Sequence, residues 1–331
     1  MKTSKMYMSG LLLSLALGFG SCDKDLPGGK GTGALIAVKV NLLGVAAGGS
    51  EEIARSDKQM PETVTASLGD GITLEMSIER EAQPLRAATT QALEAPKKYR
   101  LMAIRSSDSK LISLADCEVG DLNNPTLHVP EGTECRFICI SYNSETLPAA
   151  PDDDDMATYT LAVDNSNDLL YWQDSELNRV ITDIDNELNI ILEHQQTKIK
   201  VLVDSSPMGQ NITNISATGI TLSVATGGSF NYLSSDVTGT VEAKKLTWST
   251  TANNQVRESA TVPFFPNATS TPLTISFPIH SVTIGGVNMP SIQKSLSFSA
   301  LTLAKGTSYT LRVMIKRFTQ SNKFAGSNIY W

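Results

Sequence analysis

Alternation of apolar and polar residues is the dominant pattern along the chain. The apolar residues Ile36, Val38, Val40 and Leu42 occupy every second position of one short segment. Because successive side chains of an extended strand point to opposite faces, this period predicts a β-strand with one buried face. The same pattern recurs in residues 72–79, 98–105, 135–142, 198–204, 220–225, 272–279 and 308–318.

Polar clusters rich in glycine, asparagine, aspartate and proline separate these segments, as in residues 121–125 and 225–229. These residue types favour turns. No segment carries a sustained helical period, although residues 175–193 are compatible with one short helix. Many short strands joined by polar turns predict an all-β fold built from antiparallel sandwiches.

The length of 331 residues exceeds that of one usual domain of ~100–200 residues. Residues 164–188 are polar and irregular, and a new strand-rich stretch follows them. We therefore expect an N-terminal β-sandwich over residues 34–185 and a C-terminal β-sandwich over residues 186–331. The glycine-rich residues 22–33 predict a flexible tether ahead of the first sandwich.

The N-terminus has the pattern of a lipoprotein signal peptide. Lys2 and Lys5 precede an apolar run over residues 11–19, which is shorter than the ~20 apolar residues of a membrane-spanning helix. Small residues at 20 and 21 then come directly before Cys22. We predict that residues 1–21 are removed and that Cys22 is acylated, so that the protein is exported and carries a lipid anchor.

Charge and cysteine content exclude several classes of protein. The net charge of −7 argues against binding to nucleic acid or to anionic membrane patches. In an extended strand Cys135 and Cys139 would lie ~13 Å apart, which exceeds the ~7 Å limit for a disulfide. At most one disulfide could form, through Cys117, and we expect buried free thiols instead.

No residue pattern indicates an enzyme, a metal site or a cofactor. His128, His194 and His280 are isolated from acidic or cysteine residues at ligand spacing. The acidic run 152–155 lacks the glycine and the spaced carboxylates of a calcium loop, so a solvated loop is the preferred interpretation. The tryptophans at 172, 248 and 331 could stack on sugars, but lone tryptophans more often close a core.

The order of several segments resembles the fimbrillin family, the subunits of the type V pili of Bacteroidales. The resemblance covers most of residues 22–331. The ordered set comprises Cys22 ahead of ALIAVKVNLL (34–43), Arg86 and Ala87 ahead of KYRLMAIR (98–105), GTECRFICISYNSETLP (132–148), DLLYW (168–172) and ILEHQQTKIKVLVD (191–204).

The resemblance implies two tandem transthyretin-like β-sandwich domains and an assembly mechanism. Such subunits reach the outer membrane as lipoproteins, and a trypsin-like protease then removes the lipid together with the first strand. Arg86 is the preferred cleavage site, with Ala87 as the new N-terminus, and Arg55 is the second choice. A cut at Arg86 would discard both early strands, whereas a cut at Arg55 would leave residues 72–79 on the mature subunit.

A C-terminal strand of another subunit would then fill the vacated groove. Residues 308–318 are one candidate for this donor strand, although they serve equally well as the last strand of the second domain. That alternative moves the donor to residues 324–331, with Phe324, Ile329, Tyr330 and Trp331 as its apolar side chains.

The resemblance thus implies a structural fimbrial subunit that serves cell adhesion at the outer membrane or cell surface. Its expected partners are other fimbrial subunits, outer-membrane lipid through Cys22 before processing, and a host glycan or protein. Two alternatives stay open: a fimbrial anchor that keeps its lipid, and a glycan-binding surface lipoprotein. We expect no catalytic residues, no metal, no cofactor and no nucleic-acid partner.

Overall fold

A computed structural model describes residues 33–46, 63–69, 71–81, 90–152, 154–182, 186–215, 221–239, 241–248, 254–266, 273–277, 282–289, 294–298 and 303–317. Its strands are β1 (Leu35–Ala46), β2 (Val64–Gly69), β3 (Ile72–Arg80), β4 (Thr90–Gln91), β5 (Lys98–Arg105), β6 (Leu111–Glu118), β7 (Leu127–Pro130), β8 (Glu134–Ser141), β9 (Thr160–Asp164), β10 (Leu170–Gln173), β11 (Arg179–Val180), β12 (Glu187–His194), β13 (Thr197–Asp204), β14 (Ile212–Ile215), β15 (Thr221–Ala225), β16 (Gly227–Asn231), β17 (Val237–Thr238), β18 (Val241–Lys245), β19 (Val256–Glu258), β20 (Val262–Phe264), β21 (Leu273–Phe277), β22 (Val282–Ile284), β23 (Val287–Asn288), β24 (Lys294–Phe298) and β25 (Ser308–Arg317).

The prediction of an all-β fold is confirmed. Across the described ranges the helical content is one 3-10 turn, Ser206–Met208, and the pairing of strands is mainly antiparallel. The short helix considered for residues 175–193 is replaced by β11 and β12 where that stretch is described. None of the described segments forms a helix with the length and hydropathy needed to cross a membrane.

The first sheet has the strand order β4-β1-β12-β10-β8-β5-β6, with β7 attached to β1 and β11 attached to β8. Its central strands β5 and β8 are buried on both faces. Leu101 and Phe137 point into one cluster of apolar side chains, the first core, while Met102 and Ile138 point into another, the second core. Burial on both faces explains the continuous apolar runs at residues 101–104 and 137–140.

The second sheet joins β19 and β20 to β13, followed by β25, β3 and β2. Here β25 runs parallel to β13 and antiparallel to β3. Its alternate side chains Leu311, Val313 and Ile315 are almost completely buried in a third core. Residues 308–317 therefore form an inner strand of this sheet, and both of its edges are paired with strands of the same chain.

Strands cross the predicted boundary between residues 185 and 186 in both directions. The hairpin β2–β3 comes from the predicted first domain but pairs with β25 in the second sheet. Conversely, β12 lies in the first sheet, and β16 pairs with β9 on the side of the second core. The two halves thus exchange strands, because each sheet is completed by segments from the other half.

The second core shows how tightly this exchange is packed. Phe230 and Tyr232, from β16 and the turn after it, are completely buried against side chains of β5, β8 and β10. The ring of Phe230 packs edge-on against Tyr171 and Tyr232, with centroid distances of 5.3 and 5.8 Å. The hydroxyl of Tyr171 donates a hydrogen bond of 2.6 Å to the carbonyl oxygen of Tyr232.

The expectation of buried free thiols is confirmed for Cys117, Cys135 and Cys139. Burial raises the pKa of Cys117 to about 11 and that of Cys135 to about 12, and it raises the pKa of Cys139 well above its usual value. All three lie in the first core and carry no disulfide.

We predict that these three thiols resist alkylation in the native protein. Only the thiolate attacks iodoacetamide, and at pH 8 a thiol of pKa ~11 is ionised in about one molecule in a thousand. Mass spectrometry of labelled peptides should find little modification at pH 8 without denaturant and complete modification in guanidinium. Rapid labelling of any of the three under native conditions would contradict the burial described here.

Candidate functional site

The strand β1 lies in a groove lined by β4, β7 and β12, which we call the bay. Its first half, from Leu35 to Val38, runs antiparallel to β7, and its second half, from Lys39 onward, runs parallel to β12. At Val45 it also pairs with β4. A segment near the N-terminal end of the described chain is thus an integral strand of the first sheet.

The alternation predicted for β1 is present in the structure. Ile36, Val38, Val40 and Leu42 point toward the first core, where Val38 is buried and the others are partly buried. The side chains that alternate with them, such as Lys39 and Leu43, are exposed. One apolar face therefore attaches β1 to the rest of the sheet, which leaves its outer face in water.

The bay offers an apolar partner for each of these side chains. The facing pairs are Ile36 with Val129, Val38 with Leu127, Val40 with Leu188, and Leu42 with Ile190. The four partners are almost completely buried while β1 is in place. Departure of β1 would open an apolar groove, and exposing such surface costs about 25 cal/mol per Å².

Backbone hydrogen bonds hold β1 along both walls. The amide of Lys39 donates to the carbonyl oxygen of Asn186 at 2.9 Å, and the amide of Glu131 donates to the carbonyl oxygen of Ala34 at 2.8 Å. Without β1 these wall groups would need new partners, because unpaired backbone groups in an apolar bay are unfavourable. The bay is therefore suited to binding an extended strand.

The residues predicted for lipid attachment, proteolytic processing and strand donation lie outside the described part of the chain. These residues are Cys22, Arg55, Arg86, Ala87, Phe324, Ile329, Tyr330 and Trp331. The structure does describe their neighbours: β1 ends at Ala46, β2 begins at Val64, β3 ends at Arg80 and β4 begins at Thr90. Arg55 thus falls between β1 and β2, and Arg86 falls between β3 and β4.

Described residues that the sequence analysis considered for sugar or metal binding are engaged in packing or in an ion pair within the protein. Trp172 packs against the first core and Trp248 against the third core, and the guanidinium of Arg257 lies 5.9 Å from the ring centroid of Trp248. In the acidic loop, Asp154 forms an ion pair of 2.9 Å with Lys110. Among the residues that the structure describes, no three acidic, histidine or cysteine side chains are grouped as a metal site.

One polar cluster escaped the sequence analysis, at the end of β12. Nδ1 of His194 lies 2.7 Å from a carboxylate oxygen of Asp168, and the side-chain amide of Asn143 donates to the other oxygen at 2.9 Å. No local pattern announces this contact, because 26 residues separate Asp168 from His194. Antiparallel pairing of β10 with both β8 and β12 brings the three residues together.

This cluster gives the stability a predictable dependence on pH. Burial acts to raise the pKa of Asp168, but the hydrogen bonds from His194 and Asn143, with the charge of His194, outweigh it and lower that pKa. A lowered pKa in the folded state adds stability above the unfolded pKa of about 4, and this stability is lost as the pH falls through the folded pKa.

We predict that Asp168→Asn lowers the free energy of unfolding by about 1–2 kcal/mol at pH 7. The difference from the unaltered protein should shrink below about pH 4 and vanish once Asp168 is protonated. Urea unfolding at pH 7, 5 and 3 measures this, with Glu145→Gln on the exposed surface as the control. A constant difference at all three pH values would show that the lost stability is not electrostatic.

Comparison with known proteins identifies the family to which the chain is similar. A sequence model of the family described as fimbrillin-like matches residues 123–330, more than half of the chain. No curated protein sequence matches the chain.

Several solved structures are similar to the chain at low identity. One is a candidate cell adhesion protein from Bacteroides fragilis, with a TM-score of 0.42, 14% identity and coverage of 86% of this chain and 94% of the other. Another, from Bacteroides ovatus, has a TM-score of 0.40, 11% identity and coverage of 85% and 92%. The fimbrial anchor protein Mfa2 from Porphyromonas gingivalis has a TM-score of 0.40, 11% identity and coverage of 69% and 85%.

Proposed function

The chain belongs to the fimbrillin-like family, and we propose that it is a structural subunit of a fimbrium that serves adhesion at the cell surface. The proposal includes export as a lipoprotein, with acylation of Cys22 and delivery to the outer membrane. Its partners are other fimbrial subunits, which it joins by exchange of β-strands.

The observation that carries this proposal is the way in which β1 is bound. It sits between β7, β12 and β4, and it contributes one apolar face and a set of backbone hydrogen bonds. Removal of β1 would leave a groove that an extended strand of another subunit could occupy. Main-chain hydrogen bonds would then supply affinity and alternate side chains would supply specificity, as in β-strand addition.

The pairing of β3 bears on where the chain would be cut. Cleavage at Arg86, the site preferred from the sequence, would separate β1, β2 and β3 from the rest of the chain. Because β3 is an inner strand of the second sheet, its loss would dismantle the third core. Cleavage at Arg55 would free β1 alone, so we propose Arg55 as the processing site.

The inner position of β25 bears on the donor strand. Residues 308–317 already pair with β13 and β3 of their own chain, so donating them would break the second sheet. The proposed donor is therefore the segment 324–331, with Phe324, Ile329, Tyr330 and Trp331 as its apolar side chains.

The test is the N-terminus and mass of the protein recovered from its native outer membrane. A lipid-free chain that begins at Ser56 would support strand release by cleavage at Arg55, and Arg55→Ala should then abolish the shortened form while Arg86→Ala does not. A chain that begins at Ala87 would overturn the choice of Arg55. An uncut chain acylated at Cys22 would replace the proposal with an anchor that retains β1.

A further inference from the structure

A glycine in β1 lies where the strand passes closest to a neighbour. Gly44 has a φ of +130°, a conformation that residues with a side chain rarely adopt. A Cβ added to this glycine would lie 2.3 Å from the carbonyl oxygen of Gln91 in β4. The strand is also irregular here, because the register with β12 shifts between Leu42 and Gly44.

The close approach involves backbone atoms, and both sides of it are anchored. Beyond the oxygen of Gln91, the added Cβ would meet the carbonyl carbon of Gln91 at 3.0 Å and the Cα of Ala92 at 3.4 Å. Val45 follows Gly44 in β1, Leu93 lies two residues after the end of β4, and both are buried in the first core. Neither strand can retreat without withdrawing an apolar side chain from that core.

We propose that this contact makes glycine a requirement of any strand that fills the bay along its full length. The partner accepted along the full length is an extended segment with apolar residues at four alternate positions, matching Ile36 to Leu42, followed by a glycine at the position of Gly44. Segment 324–331 has no glycine after Ile329, so as a donor it would end before the position of Gly44. This specificity rests on the proposed exchange of β1, and it adds which strands the bay accepts and which it rejects.

The physical basis is a selection against side chains at one position. The bay accepts many aliphatic side chains at the alternate positions, because volume-conserving apolar exchanges are tolerated. At the position of Gly44 even a methyl group would clash with a carbonyl oxygen, and the residue would have to adopt an unfavourable φ. A strand that lacks the glycine must displace β4 or end before it reaches β4. We call this contact between position 44 and the carbonyl oxygen of Gln91 the gate.

Exchange of labelled peptides into the full chain tests the gate. A specific protease site placed in segment 47–63 allows one cut between β1 and β2, after which β1 is held without a covalent bond. Fluorescent peptides with the sequence of residues 34–46 are then added, carrying glycine, L-alanine or D-alanine at position 44. A peptide with Leu43→Ala is the matched control, because Leu43 is exposed.

We expect the L-alanine peptide to bind about tenfold or more weakly than the glycine peptide. The D-alanine peptide should recover much of the loss, because a D-residue favours positive φ and its Cβ replaces the other hydrogen of the glycine Cα. The Leu43→Ala control should stay within about threefold of the glycine peptide. Equal binding of the glycine and L-alanine peptides would overturn the gate.

A second measurement separates the gate from strand exchange itself. If even the glycine peptide does not bind the cut chain, the proposed release of β1 is wrong. The gate is then tested by hydrogen exchange in the uncut protein. There Gly44→Ala should accelerate hydrogen exchange at residues 44–46 and at Thr90 and Gln91, whereas Leu43→Ala should not. Unchanged exchange in Gly44→Ala would overturn the gate independently of any peptide.

Discussion

A chain that begins at Ala87 is expected to lose its second sheet, whereas a chain that begins at Ser56 is expected to keep it. The difference is the hairpin β2–β3, of which β3 lies between β2 and β25. Its buried side chains are Ile72, Leu74, Met76 and Ile78. Each such burial stabilises by about 1.5–3 kcal/mol, so β3 supplies an amount comparable to the ~5–15 kcal/mol of a whole domain.

Circular dichroism and thermal melting of the two truncated chains measure this effect, with the full chain as reference. We expect the chain from Ala87 to bind a hydrophobic dye and to lack a cooperative transition. The chain from Ser56 should melt cooperatively at a lower temperature than the full chain, because it has lost β1 alone. Equal melting of the two truncated chains would contradict the structural role of β3.

Two single substitutions in the full chain control for the effect of truncation. Met76→Asp introduces a charge at a position that is 0% exposed, so it should prevent folding of the second sheet. Ser77→Asp places the same side chain on the other face of β3, opposite Arg312, and should leave the fold intact. If both variants folded equally well, β3 would not be an inner strand.

Phe230→Ala is expected to lower the free energy of unfolding by about 3–5 kcal/mol. The ring is fully buried in the second core between Tyr171 and Tyr232, and its removal leaves a cavity that rigid neighbours cannot fill. Although β16 belongs to the second half of the sequence, it shares the second core with β8 of the first half. The loss of stability should therefore also appear in the first half. Amides of β8 near Ile138, which faces the same core, should exchange faster.

Chemical denaturation gives the free energy for this variant, and hydrogen exchange gives its location. Leu122→Ala is the control, since Leu122 is 98% exposed and its truncation should change stability by less than about 0.5 kcal/mol. Faster exchange confined to β16 and β17 would mean that the two halves are energetically independent, contrary to the packing of the second core.

Much of the secondary structure follows from local pattern. The alternation in residues 36–42, 72–79 and 308–318 predicts β1, β3 and β25, and the structure contains all three. The face of β1 that is buried is also the one that the pattern indicates. Period two is a property of a single strand, so it can be detected without knowledge of the neighbours.

Pairing between distant strands could not be predicted in this way. An apolar face specifies that a strand must be covered, but many partners can cover it equally well. Nothing in residues 72–79 indicates that they pair with residues 309–317, and nothing in residues 39–45 indicates a parallel partner in β12. For the same reason the contact between His194 and Asp168 and the gate at Gly44 were invisible.

The amino-acid sequence by itself determined the class of fold, the positions of most strands, the buried face of β1 and the burial of three free thiols, because each depends on residue type and short-range period. The tertiary structure alone decided which strands are neighbours, that each half completes the other's sheet, and that β1 lies beside β4 at Gly44. These features depend on how whole apolar faces are packed together, and that choice is made by the complete chain.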